Sequence, residues 1–247
     1  AWAYQLPAEP RDPYPIDVWY RIEFHVDEMP PSLDLIIDGF AGSAWVVIVN
    51  GQEVTAKPER SRIDAQMQRL DITPHAQTGE NVITVGLTVT GPTDGLLDLV
   101  KITGDFSLAG EQGAWRIVAP RKAVRPGSWT DQGYPFYSGR GVYATTFQLP
   151  EEAAGRRIIL EPAMTDDVIE VVVNGTSAGV RLWAPYEVDI TDHVQPGQNT
   201  LELRVANTLI NLLEAVPRGS GLAGEPHIVA YEQVDLALER EPVVGGE

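Results

Sequence analysis

Val168-Ile169-Glu170-Val171-Val172-Val173 runs directly into Asn174-Gly175. A β-branched run closed by Asn-Gly is the strongest short-range signal for a tight hairpin. Farther on, Leu201, Leu203 and Val205 alternate with Glu202 and Arg204, as a strand with one buried face requires. Tyr143-Ala144-Thr145-Thr146-Phe147 and Glu187-Val188-Asp189-Ile190 fit the same period, and Pro196-Gly197 and Gly79 supply turns between such runs. Strands this short, at this spacing, predict an antiparallel β-sandwich. One stretch departs from the pattern. From Thr208 to Val216 the residues Leu209, Leu212, Leu213 and Val216 share a helical face, which predicts a short turn packing its leucines on the core.

The pattern occurs twice. Val47-Ile48-Val49-Asn50-Gly51 recurs as Val171-Val172-Val173-Asn174-Gly175, and Asp71-Ile72-Thr73 as Asp189-Ile190-Thr191. Gly79-Glu80-Asn81-Val82-Ile83 recurs as Gly197-Gln198-Asn199-Thr200-Leu201, and Tyr20 and Phe24 match Tyr143 and Phe147. Order is kept and only one loop differs in length, so the chain reads as two related domains in tandem. The first sandwich is expected over residues 14–108, after an N-terminal extension of 1–13, and the second over 134–238. Residues 109–133 hold Trp115 and Trp129 among glycines and prolines, too apolar for a free linker, and are expected to pack along both domains. Residues 239–247 read as a tail.

The 247 residues carry 35 acidic and 18 basic side chains, a net charge of −17. Such a surface repels phosphate backbones and anionic lipid, which argues against nucleic-acid and membrane-surface partners. No apolar run approaches the roughly 18 residues of a membrane span. With no cysteine, thiolate catalysis, Cys-based zinc sites and disulfides are excluded. The chain opens on Ala1-Trp2-Ala3-Tyr4, without initiator Met or signal-peptide core, and is read as a piece of a longer polypeptide.

The second copy carries Val173-Asn174-Gly175, Gly179, Tyr186-Glu187-Val188-Asp189-Ile190-Thr191, Pro196-Gly197-Gln198-Asn199 and Val205-Ala206-Asn207-Thr208. This closely resembles the galactose-binding-like jelly-roll domain of glycoside hydrolases, the sugar-binding domain of the β-galactosidase and β-glucuronidase group. Gly133-Tyr134-Pro135-Phe136-Tyr137-Ser138-Gly139 and Ser220-Gly221-Leu222-Ala223-Gly224 are similar to the accessory domains of α-L-rhamnosidase-like enzymes. The resemblance implies an all-β fold of two tandem antiparallel jelly-roll β-sandwiches. It also implies carbohydrate as ligand and, as partner, a catalytic domain in the same polypeptide or in a partner subunit. Bacterial glycoside breakdown follows from it, with a secreted or periplasmic setting favoured over a cytoplasmic one. It specifies a domain type and no particular sugar.

Most motif residues have architectural work to do. Asn-Gly fills a turn needing positive φ, and Asp189 and Thr191 can bond neighbouring backbone where a strand ends. Gly219-Ser220-Gly221-Leu222-Ala223-Gly224 matches a dinucleotide fingerprint in letters alone, since no helix follows it; it is expected to be a flexible loop. The histidines His25, His75, His193 and His227 are scattered and no nucleophile elbow exists. A glycosidase needs two carboxylates flanking one bond. Asp166-Asp167 is the tempting pair, but adjacent strand residues face opposite ways. In the families resembled the catalytic acids belong to a separate barrel domain, so this chain is expected to do no chemistry alone.

Sugar recognition needs an aromatic platform and fixed polar groups. Arg181, Trp183 and Tyr186 lie close together after the second Asn-Gly turn, and Asp166 and Asp167 precede the same strand pair. These five are the candidate ligand residues, Trp183 with Arg181 foremost; alternatively, Trp183 covers a sandwich edge or packs on a neighbouring domain. Trp129, Tyr134, Phe136 and Tyr137 form a second aromatic cluster, read chiefly as interdomain packing, and Trp45 reads as core. Sandwiches of this type also hold a structural calcium; no D-x-D-x-D-G loop supports one, and calcium stays open. The leading expectation is thus a non-catalytic carbohydrate-binding or accessory region of a glycoside hydrolase. A purely structural pair of sandwiches buttressing a catalytic domain is the alternative, and a stand-alone glycosidase a third.

Overall fold

The structure, a computed structural model of the chain, describes residues 14–111, 113–164 and 166–232. The expected extension at 1–13, the end of the second predicted sandwich and the tail lie outside the described residues. The chain is all-β and falls into two compact units, residues 1–123 and 124–247. That division lies inside the segment 109–133.

In the first unit, β1 (Ile16–Val26), β2 (Leu33–Ile37), β3 (Phe40–Ala41), β4 (Ala44–Val49), β5 (Gln52–Glu53) and β6 (Glu59–Arg60) precede β7 (Gln68–Asp71). Then come β8 (Gly79–Val89), β9 (Gly95–Leu96), β10 (Lys101–Gly104), β11 (Ser107–Ala109) and β12 (Arg116–Val118). One sheet has the order β11-β12-β1-β8-β4-β5, a second β10-β2-β7-β6, and β3 pairs with β9. Leu33, Leu35, Ile37 and Leu70 from the second sheet meet Val47, Val49, Ile83 and Val85 from the first in one buried cluster. The pairing is antiparallel except between β1 and β12, which run parallel at His25↔Arg116 and Val26↔Ile117.

The second unit is built from β13 (Arg140–Leu149), β14 (Arg157–Glu161), β15 (Val168–Val173), β16 (Thr176–Arg181), β17 (Val188–Asp189), β18 (Gly197–Ala206) and β19 (His227–Tyr231). Its sheets are β13-β18-β15-β16 and β17-β14-β19. Ile158, Leu160 and Val188 pack against Ile169, Val171, Leu201, Leu203 and Val205. The alternation read along β18 holds: Leu201, Leu203 and Val205 are buried, while Glu202 and Arg204 face out.

Each unit is tied by the same set of polar contacts. Asn50 and Asn174 adopt φ of 50° and 49°, followed by Gly51 and Gly175 at 80° and 79°, the paired left-handed conformation of a tight hairpin turn. Asn50 Nδ2 donates to His75 O and to Asn81 Oδ1, and Asn50 Oδ1 accepts from Val82 N. Asn174 does the same with His193 O, Asn199 Oδ1 and Thr200 N. The partners Asn81 and Asn199 are fully buried. Asn81 bonds Gln77 and Gly79, and Asn199 bonds Gln195 and Gly197. Upstream, the hydroxyls of Thr73 and Thr191 accept from Leu33 N and Ile158 N. Register agrees as well: Phe24 pairs with Asn81 and Tyr20 with Val85, as Phe147 pairs with Asn199 and Tyr143 with Leu203.

Two expectations need correction. The helical stretch contracts to a single turn, α1 (Ile210–Leu213), whose buried residue is Asn211, while Leu209 and Val216 stand about half exposed. Asn211 Nδ2 reaches Pro135 O and Arg218 O, so a polar anchor replaces the leucine packing. The loop 219–224 is held rather than free. Ser220 and Leu222 are buried, Gly127 N donates to Leu222 O, Trp129 N to Ser220 O and Ala223 N to Ala163 O. Residues 109–133 serve both units: Arg116–Val118 is a strand of the first, and Trp129 lies in the core of the second.

Replacing Asn81 or Asn199 by Ala strands several buried backbone groups, so each variant should lose about 2–4 kcal/mol of stability by urea unfolding; a loss under about 0.5 kcal/mol would show the clamp to be dispensable. Asp189 gives a second check. The Thr191 hydroxyl, then Arg157, hold its carboxyl down at about 2, below an unfolded value near ~3.9. A depressed folded value contributes stability that is full above about pH 4 and is lost as pH falls through about 2. Asp189→Asn should therefore be less stable than the parent near neutral pH, with the gap closing in acid; a gap independent of pH would rule out the charge as its cause.

Candidate functional site

The β15–β16 hairpin has its Asn174-Gly175 turn at one end and the residues of interest at the other. Ile169↔Arg181 is the outermost pair of its ladder. Chain arriving through Asp166 and Asp167 therefore runs beside chain leaving through Leu182 and Trp183. Since β16 is the last strand of its sheet, this happens at an edge, where side chains can reach solvent. The structure thus brings the two groups of candidate residues to the same end of the unit.

Their environments differ. Trp183 is 72% exposed. Arg181 turns back on its own chain, its Nε donating to Glu187 O at 2.8 Å and Nη1 to Val180 O at 3.0 Å; it holds the turn that carries Trp183. Tyr186 is half-buried against the second core. Burial first, then the nearby Asp166 and Asp167 carboxylates, push its phenol up, so it stays a neutral hydroxyl at ordinary pH. Asp166 is exposed and pairs with Arg218 at 3.1 Å. Asp167 is buried and accepts from Gly221 N at 2.7 Å, which makes it a tie for the 219–224 loop. One carboxylate thus faces solvent and the other the interior, and they do not flank a common bond as glycoside hydrolysis requires.

Sequence reasoning did not single out Arg218 or the loop as parts of this end. The loop's signal in the sequence was its run of glycines; in the structure Gly221 has φ of 90°, and a Cβ there would fall 2.5 Å from Trp129 Nε1. Trp129 itself is buried, donates to Tyr143 Oη at 2.6 Å and meets Tyr137 edge-on at 5.7 Å. Tyr137 meets Tyr134 at 6.0 Å, so these three rings pack together within the second unit. Trp45 is half-buried against the first core, edge-on to Phe40.

Among the described residues no group of three or more histidines and carboxylates is placed to hold a metal ion, so the calcium left open by the sequence finds no such ligand set there. No helix among them is long and apolar enough to cross a membrane. A polar cleft of about 500 Å³ lies by Arg157, Asp189 and His193, toward the turn end of the hairpin, with Asp189 committed to Arg157 and Thr191. What the Trp183 end offers is an indole face, a neutral phenol, an exposed carboxylate and a guanidinium: surfaces for stacking and hydrogen bonding.

No family model matches the chain. A putative β-glucuronidase of Formosa agariphila is 31% identical over 91 residues, 35% of this chain and 8% of that protein. Among solved structures, a rhamnosidase from Novosphingobium is matched over 85% of this chain and 22% of its own, at 22% identity and a TM-score of 0.34. A β-glucuronidase from Bifidobacterium dentium is matched over 34% of this chain and 15% of its own, at 30% identity and a TM-score of 0.31. The chain resembles a small part of glycoside hydrolases. The kinds of enzyme are those whose sugar-binding and accessory domains its motifs resemble, and the chain spans less than a quarter of each of these proteins.

The two aspartates should separate cleanly. Asp167→Ala should speed amide exchange across residues 219–222 and cost about 1–3 kcal/mol, the toll of a buried donor left unpaired. Asp166→Ala, at an exposed ion pair, should change stability by less than about 0.5 kcal/mol. Equal effects by hydrogen exchange and urea unfolding would remove the distinction.

Proposed function

We propose that this chain is a non-catalytic carbohydrate-binding region of a larger glycoside hydrolase, composed of two tandem jelly rolls. Catalysis then belongs to another domain of the same polypeptide. The single observation that carries the binding role is Trp183, held out at 72% exposure on a turn fixed by Arg181. A sugar stacks its C–H face on the indole, and the Asp166 carboxylate and Tyr186 hydroxyl lie at the same end to meet its hydroxyls. The likeness of a short stretch to a putative β-glucuronidase of far greater length supports the accessory role. So does the disposition of Asp166 and Asp167, which leaves this site without a hydrolytic pair.

A second reading has its own support. Val180, Leu182 and Trp183 are all about half exposed or more, and apolar groups gathered at the end of an edge strand suit burial against a neighbouring domain. In that reading the units buttress a catalytic domain and touch no sugar.

Affinity electrophoresis separates the two. Gels containing rhamnose- and galactose-bearing polysaccharides should retard the chain selectively. Trp183→Ala should abolish retardation at this site while shifting Tm by no more than about 2 °C, as for other exposed positions. No retardation across the panel would transfer the weight to the buttress, and a large fall in Tm with Trp183→Ala would make the indole a packing residue of its own unit and remove it as the platform.

A further inference from the structure

The first unit carries an aromatic surface of a different kind. Trp19 projects from the middle of β1 on the side away from the core and is 56% exposed, while its neighbours Tyr20 and Ile22 pack inward. Directly across the ladder stands Gly86. A Cβ there would fall 2.5 Å from Trp19 Cζ3, 2.8 Å from Cη2 and 2.9 Å from Cε3. The benzenoid half of the indole therefore rests on the glycine backbone, and Gly86 is buried beneath it. Any larger residue at position 86 would lift the ring off the sheet. Laid down in this way, the ring has one face on the protein and the other toward solvent.

Along β1 and β8 the surroundings of that face are polar, while Val46 and Ile48 of β4 lie on the far side of Gly86 and Thr84. Asp17 and Arg21 flank Trp19 on its own strand, and Thr88 and Thr84 pair with them across β8. Thr88 Oγ1 donates to Asp17 Oδ1 at 2.7 Å, which fixes the carboxylate next to the ring with acceptor capacity left over. Arg21 is held by Glu23. A flat indole edged by an anchored carboxylate, a guanidinium and two hydroxyls is complementary to a pyranose: C–H bonds on the ring face, hydroxyls at the rim. Asp17 beside the ring, and Glu23 offsetting the Arg21 guanidinium, in a chain of net charge −17, oppose a uronate and favour an uncharged sugar.

We infer that the Trp19–Gly86 platform is a second carbohydrate site, on the first unit, for neutral pyranosides. The ligand class is shared with the function proposed above, but the site stands independently of Trp183. The test uses the whole chain, with galactan, rhamnan and β-glucan as neutral probes and pectate as the charged control. Trp183→Ala should retain measurable retardation in one neutral gel, and adding Trp19→Ala should weaken it about tenfold or more, the scale of a lost stacking face. Trp19→Phe should keep part of it. Independently of any variant, that polysaccharide should protect Trp19 of the parent chain from oxidation by N-bromosuccinimide, read by mass spectrometry. Unchanged retardation in Trp19→Ala, or unprotected Trp19, overturns this site and leaves the Trp183 reading standing. The reverse pattern overturns Trp183 alone, and no retardation in any gel overturns both. Equal retardation by pectate overturns the assignment to neutral sugars.

Discussion

A buried side-chain amide organises each unit. Asn81 and Asn199 lie fully inside, where an asparagine is costly unless all its polar atoms are paired. Each pairs with the left-handed asparagine of the hairpin turn and with the backbone just ahead of its own strand. Two regions distant in sequence are thereby locked together: the hairpin turn on one side, and on the other a 3-10 turn (Thr73–His75 in the first unit, Thr191–His193 in the second) with the start of the strand that follows it. A carboxylate could not donate, and an aliphatic side chain could neither donate nor accept. Because the clamp sits where β4 meets β8, and β15 meets β18, it sets the registers of those ladders.

Register decides what emerges at the far end. In the second unit the ladder from Val173↔Thr176 shifts once, between Val171 and Val172, and ends at Ile169↔Arg181. That leaves Asp166, Asp167 and Trp183 at the rim. The loops there are then secured by groups turned inward: Asp167 on Gly221, Asn207 on Tyr137 and Ser220, Ser128 on Ser220. Trp129 closes the arrangement, its indole pressed against Gly141 and Gly221. Among the described residues no buried side-chain nitrogen or oxygen lacks a partner. A ligand proposed for this rim would therefore meet only what faces outward.

The two outward indoles solve the same problem by opposite means. Trp183 sits on a turn, free on most of its surface, and owes its position to the Arg181 guanidinium spent on Glu187 O. Trp19 lies against a sheet, and owes its position to the missing side chain of Gly86. A turn can adjust to a ligand; a pleated sheet presents a fixed plane. Both stand in a strongly acidic chain, where stacking and hydrogen bonding to uncharged hydroxyls meet no electrostatic penalty.

Much of this was legible in the order of residues. Alternating Leu201, Leu203 and Val205, the two Asn-Gly turns and the paired Asp-Ile-Thr and Gly-x-Asn motifs specify strands, turns and a β architecture, because period and turn chemistry are local. The architectural reading of Asn199, Asp189 and Thr191 was equally local. Other features depended on partners far away in the chain. The leucines near 209–216 read as core but yield to Asn211, since only the fold brings Pro135 O and Arg218 O to its amide. The glycine-rich 219–224 loop reads as free but is fastened by Asp167, Trp129 and Ser128, none of them near it in sequence. Gly86 shows the divide most plainly: within β8 it is one small residue in an apolar run, and only pairing with β1 places Trp19 above it. Sequence alone determined the strands, their turns and their inner faces, because those follow from neighbours along the chain. The tertiary structure decided which residues meet at a surface, because that depends on register between strands that the chain order does not state.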